Sequence, residues 1–581
     1  MNNDKHNNTG WGGALEISKN GRMRWAGCIP LLALCFAAPP AWAQSGNPLN
    51  SLPQVPEAAE RTQTPIQIEK PQPAAQDIAS LQVAVRGVNV QGSKAIPFEE
   101  VSALFTPFIN GMHTVGELAA AAQKVGELYQ RHGYALSFAY LPPQSLANGV
   151  VQVNVVEGFV SSLNLEGDFG RSEPDIRELA QPLLHEKPLT TKTFEHQTQL
   201  MARLPGVQIV ASANLPTTTD GAVPLLIKSK HKPVVVTLGG EIRQPTPRVI
   251  ASLTLNDPLW SGSQLQASSM LQNPDKERYL LLGLTQQLTP EGTQARLSFS
   301  DYRSLNNPAT HIAGIDDLTR QRKLDFNLSH PWILGNSTQL STTAGIYAIN
   351  YSKEYLYTAG GYAGLSQMQE ENVRTLYGQV AWSSANARTA RSASLLLAHG
   401  LDSMGARKGA DLLYQGRYYP LADAAKLDFT RLAFDYAQRH RFASKFGAAF
   451  ALGGQYSPDI LPTPEKISFG STRFGRGYQA GEFSGDSGLG ASVEGNYQFA
   501  FDHRWLRTLE PYLLYEWART RQQSSDLKGN SLRSASLGLR ISDSRHYALD
   551  LALSKPLGDR SLNNPERKLR YSLLLSYNLD P

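Results

Sequence analysis

The chain has 581 residues, with 55 lysines and arginines against 50 aspartates and glutamates and a formal net charge of +5. That charge is thinly spread, with no dense basic block, which argues against nucleic-acid binding. Past the N-terminal region no segment approaches about 18 consecutive apolar residues, so helical membrane spans are excluded; a membrane β-barrel, whose strands need only alternate residues apolar, is not.

Residues 1–43 read as a signal peptide. Lys5, Lys19, Arg22 and Arg24 form a basic region, Trp25 to Ala38 an apolar core, and Ala41-Trp42-Ala43 a small-x-small cleavage site. Both cysteines, Cys28 and Cys35, fall inside it, so the mature chain is expected to hold no disulfide and no thiolate metal site. Residues 44–82 are rich in Pro, Gln and Ala, a composition that opposes helices and sheet ladders and predicts a linker.

Residues 83–231 read as one mixed α/β pattern used twice. In the first unit (83–158) a strand is predicted over Val83 to Val90 and a short helix after Pro97. A second helix opens at Thr114, with Glu117 three residues on as a capping box. Its stripe is Leu118, Ala121, Val125, Leu128 and Tyr129, and Gly133 stands at its C-terminal stop. Strands follow over Tyr134 to Tyr140 and Val150 to Val156. The second unit (159–231) repeats the order: a strand around Val160 to Leu165, a helix from Pro174 to Leu184, a helix carrying Phe194, Leu200, Met201 and Leu204, and strands over Val207 to Ala213 and Pro224 to Ile227. Val150 to Val156 and Val207 to Ala213 are expected to be exposed sheet edges.

From 232 to 581 the period becomes two. Tyr547, Leu549, Leu551 and Leu553 alternate with Ala548, Asp550 and Ala552; Ala535, Leu537, Leu539 and Ile541 alternate with Ser536, Gly538 and Arg540. The segments are long, aromatics recur near their ends, and the second face carries charge, Gly and Ser. A lipid-facing band around a polar lumen accounts for all three, and the region is long enough for about 16 strands at roughly 22 residues each, turns included. No His-Glu-x-x-His or Gly-x-Ser-x-Gly pattern marks a catalytic site, the histidines are scattered, and neither an enzyme nor a cofactor is predicted.

Several segments carry a family resemblance. Gly133-Tyr134-Ala135, Leu141-Pro142-Pro143-Gln144, Val156-Glu157-Gly158 and Leu204-Pro205-Gly206-Val207 are similar to landmarks of POTRA domains. Leu328-Ser329-His330-Pro331-Trp332, Pro511-Tyr512-Leu513-Leu514-Tyr515-Glu516, Leu551-Ala552-Leu553-Ser554-Lys555-Pro556-Leu557 and above all Phe474-Gly475-Arg476-Gly477-Tyr478 resemble the barrels of two-partner secretion transporters. The last segment looks like the variant of the haem–haemopexin-utilisation subgroup.

The resemblance implies a membrane β-barrel of about 16 antiparallel strands (232–581) in the outer membrane of a Gram-negative bacterium, preceded by two α/β POTRA domains in the periplasm. It implies a pore that takes an unfolded exoprotein from its POTRA domains and secretes, and in some cases activates, it. Implied partners are that exoprotein (a haemolysin, adhesin or haem-acquisition protein), outer-membrane lipid and lipopolysaccharide, and the periplasmic chaperones and barrel-assembly machinery. Family members often carry a plug helix where 44–82 lies, although no strong helical pattern stands there. By the same resemblance Phe474, Gly475, Arg476, Gly477 and Tyr478 form a loop tip inside the lumen. Arg476 would pair with a wall carboxylate at Glu516, a position usually Asp, which strand parity also turns inward; Gly485, Asp486 and Gly488 would support the loop. The usual terminal aromatic is absent: either assembly tolerates this, or Asp580-Pro581 is a short overhang. Two alternatives are a barrel-assembly insertase, which normally has more POTRA units, and a passive porin, which needs none.

Overall fold

The computed structural model describes residues 79–579 apart from 147, 214–215, 217–219, 244–246, 307–313, 360–362, 444, 472, 524–530 and 561–563. The signal peptide, nearly all of the linker with its plug helix, and the Asp580-Pro581 overhang lie outside the described residues.

The first α/β unit holds β1 (Gln82–Val85), β2 (Gly87–Gln91), α1 (Phe98–Ala103), β3 (Gly111–Thr114), α2 (Val115–Arg131), β4 (Phe138–Tyr140) and β5 (Val150–Val156). Helix α2 starts at the expected capping box: the Thr114 side chain accepts from the Glu117 amide, and the Glu117 carboxylate accepts from the Thr114 amide. Such a cap contributes about 1 kcal/mol. The buried face of α2 is the expected stripe, Leu118, Ala121, Val125, Leu128 and Tyr129, packed on Val151 and Val153 of β5. Burial raises the Tyr129 phenol well above its ordinary pKa, and its hydroxyl donates to Glu157 at 2.8 Å.

Three details of this unit differ from the expectation. The strand over Val83 to Val90 is two strands, because the amides of Arg86 and Gly87 both donate to the Gly149 carbonyl and bend the chain from one sheet to another. β1 pairs with β3, while β2 joins β5. Extended structure begins only at Phe138, since the Tyr134 and Ser137 amides are spent on the turn that closes α2. Finally, β5 is the central strand of the order β2-β5-β4 and offers no free edge.

The second unit holds β6 (Phe159–Gly167), α3 (Glu173–Leu179), α4 (Gln181–His185), α5 (Thr191–Ala202), β7 (Val207–Ala213) and β8 (Ala222–His231). The helix expected over Pro174 to Leu184 is broken at Ala180, where Pro182 in the first turn of α4 has no amide to continue the ladder. The sheet order is β6-β8-β7, so β7 is an edge.

The rest is a barrel wall. β9 (Val234–Arg243), β10 (Arg248–Asn256), β11 (Ser263–Met270), β12 (Glu277–Gln287), β13 (Gln294–Leu305), β14 (Ile315–Leu334), β15 (Thr338–Tyr357), β16 (Ser366–Ala385) and β17 (Thr389–Gly400) run up and down. A hairpin of β18 (Arg407–Tyr414) and β19 (Arg417–Leu421) then pairs along β16. The wall continues with β20 (Thr430–Arg441) and β21 (Phe446–Tyr456), is interrupted by an inserted segment holding the short pair β22 (Ile467–Phe469) and β23 (Phe483–Gly485), and resumes with β24 (Ser487–Tyr497), prolonged by β25 (Phe499–His503). β26 (Leu506–Arg521), β27 (Ser531–Ser542), β28 (Tyr547–Pro556) and β29 (Arg570–Asn578) complete it. With the hairpin set aside and β25 joined to β24, sixteen antiparallel strands form the wall among the described residues, closed by β29 on β9.

Alternation decides which residues face out. On β26 Leu513 is 66% and Tyr515 48% exposed, whereas Leu514, Glu516 and Ala518 are buried inward. On β28 Leu551 and Leu553 point out and Ala552 in. The second unit sits against the turns at one end of the barrel: Arg171 donates to the Leu259 carbonyl at 2.6 Å, Ser172 to Asp257 at 3.0 Å and Gln199 to Asn336 at 2.7 Å, and Leu334 of the wall joins the unit's core. That end is the one that faces the α/β units.

Candidate functional site

The segment between β21 and β24, residues 457–486, leaves the wall at the end away from the α/β units and turns back into the lumen. Two sets of contacts hold it.

The first is at its base. Leu461 packs, fully buried, among the inward side chains Tyr347, Ile349, Val373 and Phe429. Just beyond, Glu465 is buried against Arg431 of β20, whose Nε donates to Glu465 Oε2 at 2.7 Å. The Tyr347 hydroxyl lies 2.9 Å from both oxygens of Glu465, and Arg431 Nη2 donates to that hydroxyl at 3.1 Å. Glu371 of β16 accepts the Thr463 amide at 2.8 Å. Asp486 ties the other end of the segment: fully buried, it accepts from the amides of Leu461 at 2.9 Å and Gln523 at 2.7 Å. Gly485 and Gly488 leave no room for side chains, a Cβ lying 2.6 Å from the Arg521 carbonyl oxygen at Gly485 and 2.9 Å from Ile467 and Phe469 at Gly488.

The second set is at the tip. Phe474 takes a left-handed backbone (φ 49), a strained choice for an aromatic residue, and its ring lies on Gly490 and Gly453 of the wall. Tyr478 is buried in a cluster with Ile467, Phe469, Ala518 and Leu532, and its hydroxyl donates to the Asp559 carbonyl at 3.1 Å. Gly477 passes the wall so closely that a Cβ there would sit 2.7 Å from the Pro556 nitrogen. At Gly475 the nearest atom belongs to the loop itself, the Cα of Gly470 at 3.2 Å.

Arg476 points into the wall, but the ion pair expected with Glu516 does not form. Its Nη1 donates to the Tyr512 hydroxyl and lies 3.3 Å from Asp550 Oδ2, while Tyr512 donates to Asp550 Oδ1 at 2.6 Å. Glu516 takes the Arg476 backbone amide at 2.7 Å and the Ser534 hydroxyl at 2.7 Å. The tight passage at Gly477 fits this arrangement: the backbone amide, and not the guanidinium, meets Glu516, and the long side chain reaches on to Tyr512 and to Asp550 of β28. The Tyr512 ring is stacked under Arg540, 4.1 Å from ring centre to guanidinium carbon, and fits because the residue opposite it in register is Gly538. Further along the same wall, Arg473 reaches Asp435 of β20 at 3.4 Å.

The tip contacts continue into a larger network. Arg540 Nε is 3.7 Å from Asp550, and its Nη1 and Nη2 donate to Glu510 at 2.8 Å and Glu494 at 2.5 Å. Arg439 and Arg441 bond the same Glu510 at 2.9 and 3.4 Å. Four arginines and four carboxylates, Glu516 included, thus run from the loop tip toward the end that faces the α/β units. Asp550, Tyr512, Arg431 and Glu465 escaped the sequence reading. Alternation on β28 already placed Asp550 inward, but nothing in the sequence shows how deep the loop reaches; Glu465, between Pro464 and Lys466, carries no local signal.

A closed apolar-faced barrel, two docked α/β units and a pinned lumenal segment define an outer-membrane β-barrel transporter with periplasmic domains. The POTRA domain family of ShlB type matches residues 83–158, and the family described as haemolysin secretion/activation protein ShlB/FhaC/HecB matches residues 365–541. Both matches are to two-partner secretion transporters, which carry an exoprotein across the outer membrane. It is similar to the heme/hemopexin transporter protein HuxB of Haemophilus influenzae, 19% identical over 494 residues that cover 82% of this chain and 84% of that protein. It is also similar to the outer membrane transporter CdiB of Escherichia coli, 25% identical over 277 residues, 45% of each chain. The solved CdiB from Escherichia coli shares the fold with a TM-score of 0.60 at 18% identity, covering 87% of this chain and 93% of that one. BamA from Haemophilus ducreyi, lacking POTRA domains 1–3, does so with a TM-score of 0.53 at 13% identity, covering 86% and 100%. With BamA the fold alone is shared; the family match is to the secretion transporters.

Proposed function

We propose that residues 457–486 are a seated plug that the exoprotein displaces on its way through the barrel. The observation that carries this reading is how the segment is held at its two ends: Glu465 and Thr463 bond Tyr347 on β15 and Glu371 on β16, while Arg476 is fixed to Tyr512 and Asp550 on β26 and β28, half-way round the wall, so the segment spans the lumen. A guanidinium held by a carboxylate and a phenol is strong enough to order the loop and weak enough, contact by contact, to be exchanged. The POTRA units feed the pore. The edge strand β7, where Val210 is 40% exposed, and the short edge strand β4 are the places where an unfolded segment can add a strand; β5, central between β2 and β4 and capped at Gln152 by Gln144, is not. Folding outside then makes transport directional, and the function needs no catalytic residue and no cofactor.

The partner is an exoprotein of the two-partner class. Likeness to HuxB over 82% of the chain, against 45% for CdiB, favours a haem-acquisition protein over a haemolysin or adhesin. Outer-membrane lipid and lipopolysaccharide contact the apolar band, and periplasmic chaperones and the barrel-assembly machinery deliver the chain to it. The plug is tested by conductance in planar bilayers. Replacing residues 471–479 by a short Gly-Ser link should raise single-channel conductance several-fold over the intact protein. Equal conductance would remove the loop as the plug and leave the passive-porin reading standing.

A further inference from the structure

The outer face of the barrel carries a feature that the pore does not use. On β12, β13 and β14 the outward residues Arg278, Arg303 and Arg320 stand in one row: Arg278 is opposite Arg303 in register, and Arg303 is opposite Arg320. Like charges placed directly opposite on neighbouring strands destabilise a sheet. The next row holds Asp301 opposite Arg322. That single carboxylate serves two arginines, Arg278 at 2.9 Å and Arg322 at 3.0 Å. Among the described residues Arg303 and Arg320 have no hydrogen-bond or ion-pair partner. The four arginines, with Asp301 and with Glu370 (itself paired with Arg407), line a recess of about 370 Å³ on the outside of the wall.

Its height on the barrel identifies the ligand. One row further toward the periplasm the outward residues are Leu282, Phe299 and Leu324, and the row after that is Leu284, Leu297 and Phe326. Trp332, 61% exposed, marks the periplasmic rim on the same strand as Arg322. From Trp332 to Arg322 the strand climbs about 26 Å along the barrel axis, at ~3.4 Å per residue and a tilt of ~40°, which matches the height of about 25 Å of an outer-membrane apolar band. The arginine row therefore lies level with the headgroups of the outer leaflet, directly above a surface that acyl chains cover.

We propose that this row is a binding site for the phosphorylated headgroup of lipopolysaccharide, with a lipid A phosphate between Arg303 and Arg320 and the acyl chains on the Leu282–Phe299–Leu324 row. Planar guanidinium forks match phosphate oxygens in pairs, and a dianion there compensates the repulsion that the register imposes. Arg278 and Arg322, already shared with Asp301, frame the site. The proposal rests on the seat of the barrel in the outer membrane and is independent of the plug.

The test uses the purified full-length protein in detergent, with retained lipid counted by native mass spectrometry. The intact protein should retain bisphosphorylated lipid A and not dephosphorylated lipid A, and the Arg303→Gln/Arg320→Gln variant should retain on the order of tenfold less. Arg417→Gln, on the exposed hairpin strand β19, should retain as much as the intact protein. Faster migration of the unheated than of the heated protein on a denaturing gel reports that each barrel is folded. Should the glutamine pair not fold, Arg303→Lys/Arg320→Lys, which keeps the charge and loses the fork, should still bind several-fold less than the intact protein. Unchanged retention in the folded pair, an equal loss in Arg417→Gln, or equal retention of dephosphorylated lipid A each overturns the site. Displacement of lipid A by millimolar inorganic phosphate overturns the lipid assignment in favour of a free anion.

Discussion

Replacing Arg476 by alanine should reduce secretion of the partner exoprotein by tenfold or more while leaving barrel assembly intact. The guanidinium is the tie between the loop tip and β28, through Tyr512 and Asp550. Charge-assisted contacts of this kind contribute roughly 1.5–3 kcal/mol, so their loss turns a seated tip into one that samples the lumen and competes with substrate for the same space. The wall itself stays compensated, because Asp550 keeps Arg540 at 3.7 Å and the Tyr512 hydroxyl at 2.6 Å. The ranking of neighbouring variants is as informative as the first result. Asp550→Ala should resemble Arg476→Ala. Glu516→Gln should be much milder, since an amide oxygen still accepts the Arg476 backbone N–H. Secretion assays beside the heat-modifiable gel shift separate the two effects, and a Glu516→Gln defect as large as that of Asp550→Ala would contradict the assignment.

The second large effect is expected at the base of the loop. Arg431 and Glu465 are 3% and 1% exposed, so Arg431→Ala leaves a buried carboxylate facing Tyr347 without its cation. Removing one partner of a buried pair costs about 3–5 kcal/mol, whereas replacing both by apolar side chains of similar volume is often close to neutral. Thermal unfolding in detergent should show a clear drop for Arg431→Ala and recovery of most of it in Arg431→Met/Glu465→Met. Secretion should not recover in the double variant to the same extent if the ion pair also guides the loop back to its seat.

Much of this architecture is legible residue by residue, and the limits have a common cause. Alternation tells which side of a strand faces lipid, so Leu513 out and Glu516 in follow from sequence, and the Thr114–Glu117 box marks the start of α2. Alternation does not tell which strand lies beside which. That is why β5, with its row of valines, looked like an edge and is the centre of its sheet, and why Val83 to Val90 looked like one strand and serves two. The tip motif marked Arg476 as a wall-binding residue, but parity left several inward carboxylates available, and the guanidinium takes Asp550 while the backbone amide takes Glu516. Arg278, Arg303 and Arg320 belong to three strands far apart in sequence, and only the register across them makes a row.

The central claim is that the loop must leave its seat for substrate to pass, and a covalent lock tests it most directly. A Cβ built at Gly490 of the wall lies 2.9 Å from the Cβ of Phe474 at the loop tip. A disulfide needs about 3.5–4.5 Å between these atoms, so a shift of less than roughly 1 Å suffices. The Phe474→Cys/Gly490→Cys protein should secrete its partner under reducing conditions as well as the two single variants do, and should stop when oxidised. Undiminished secretion by the oxidised protein, with the cross-link verified by mass spectrometry, would contradict the account.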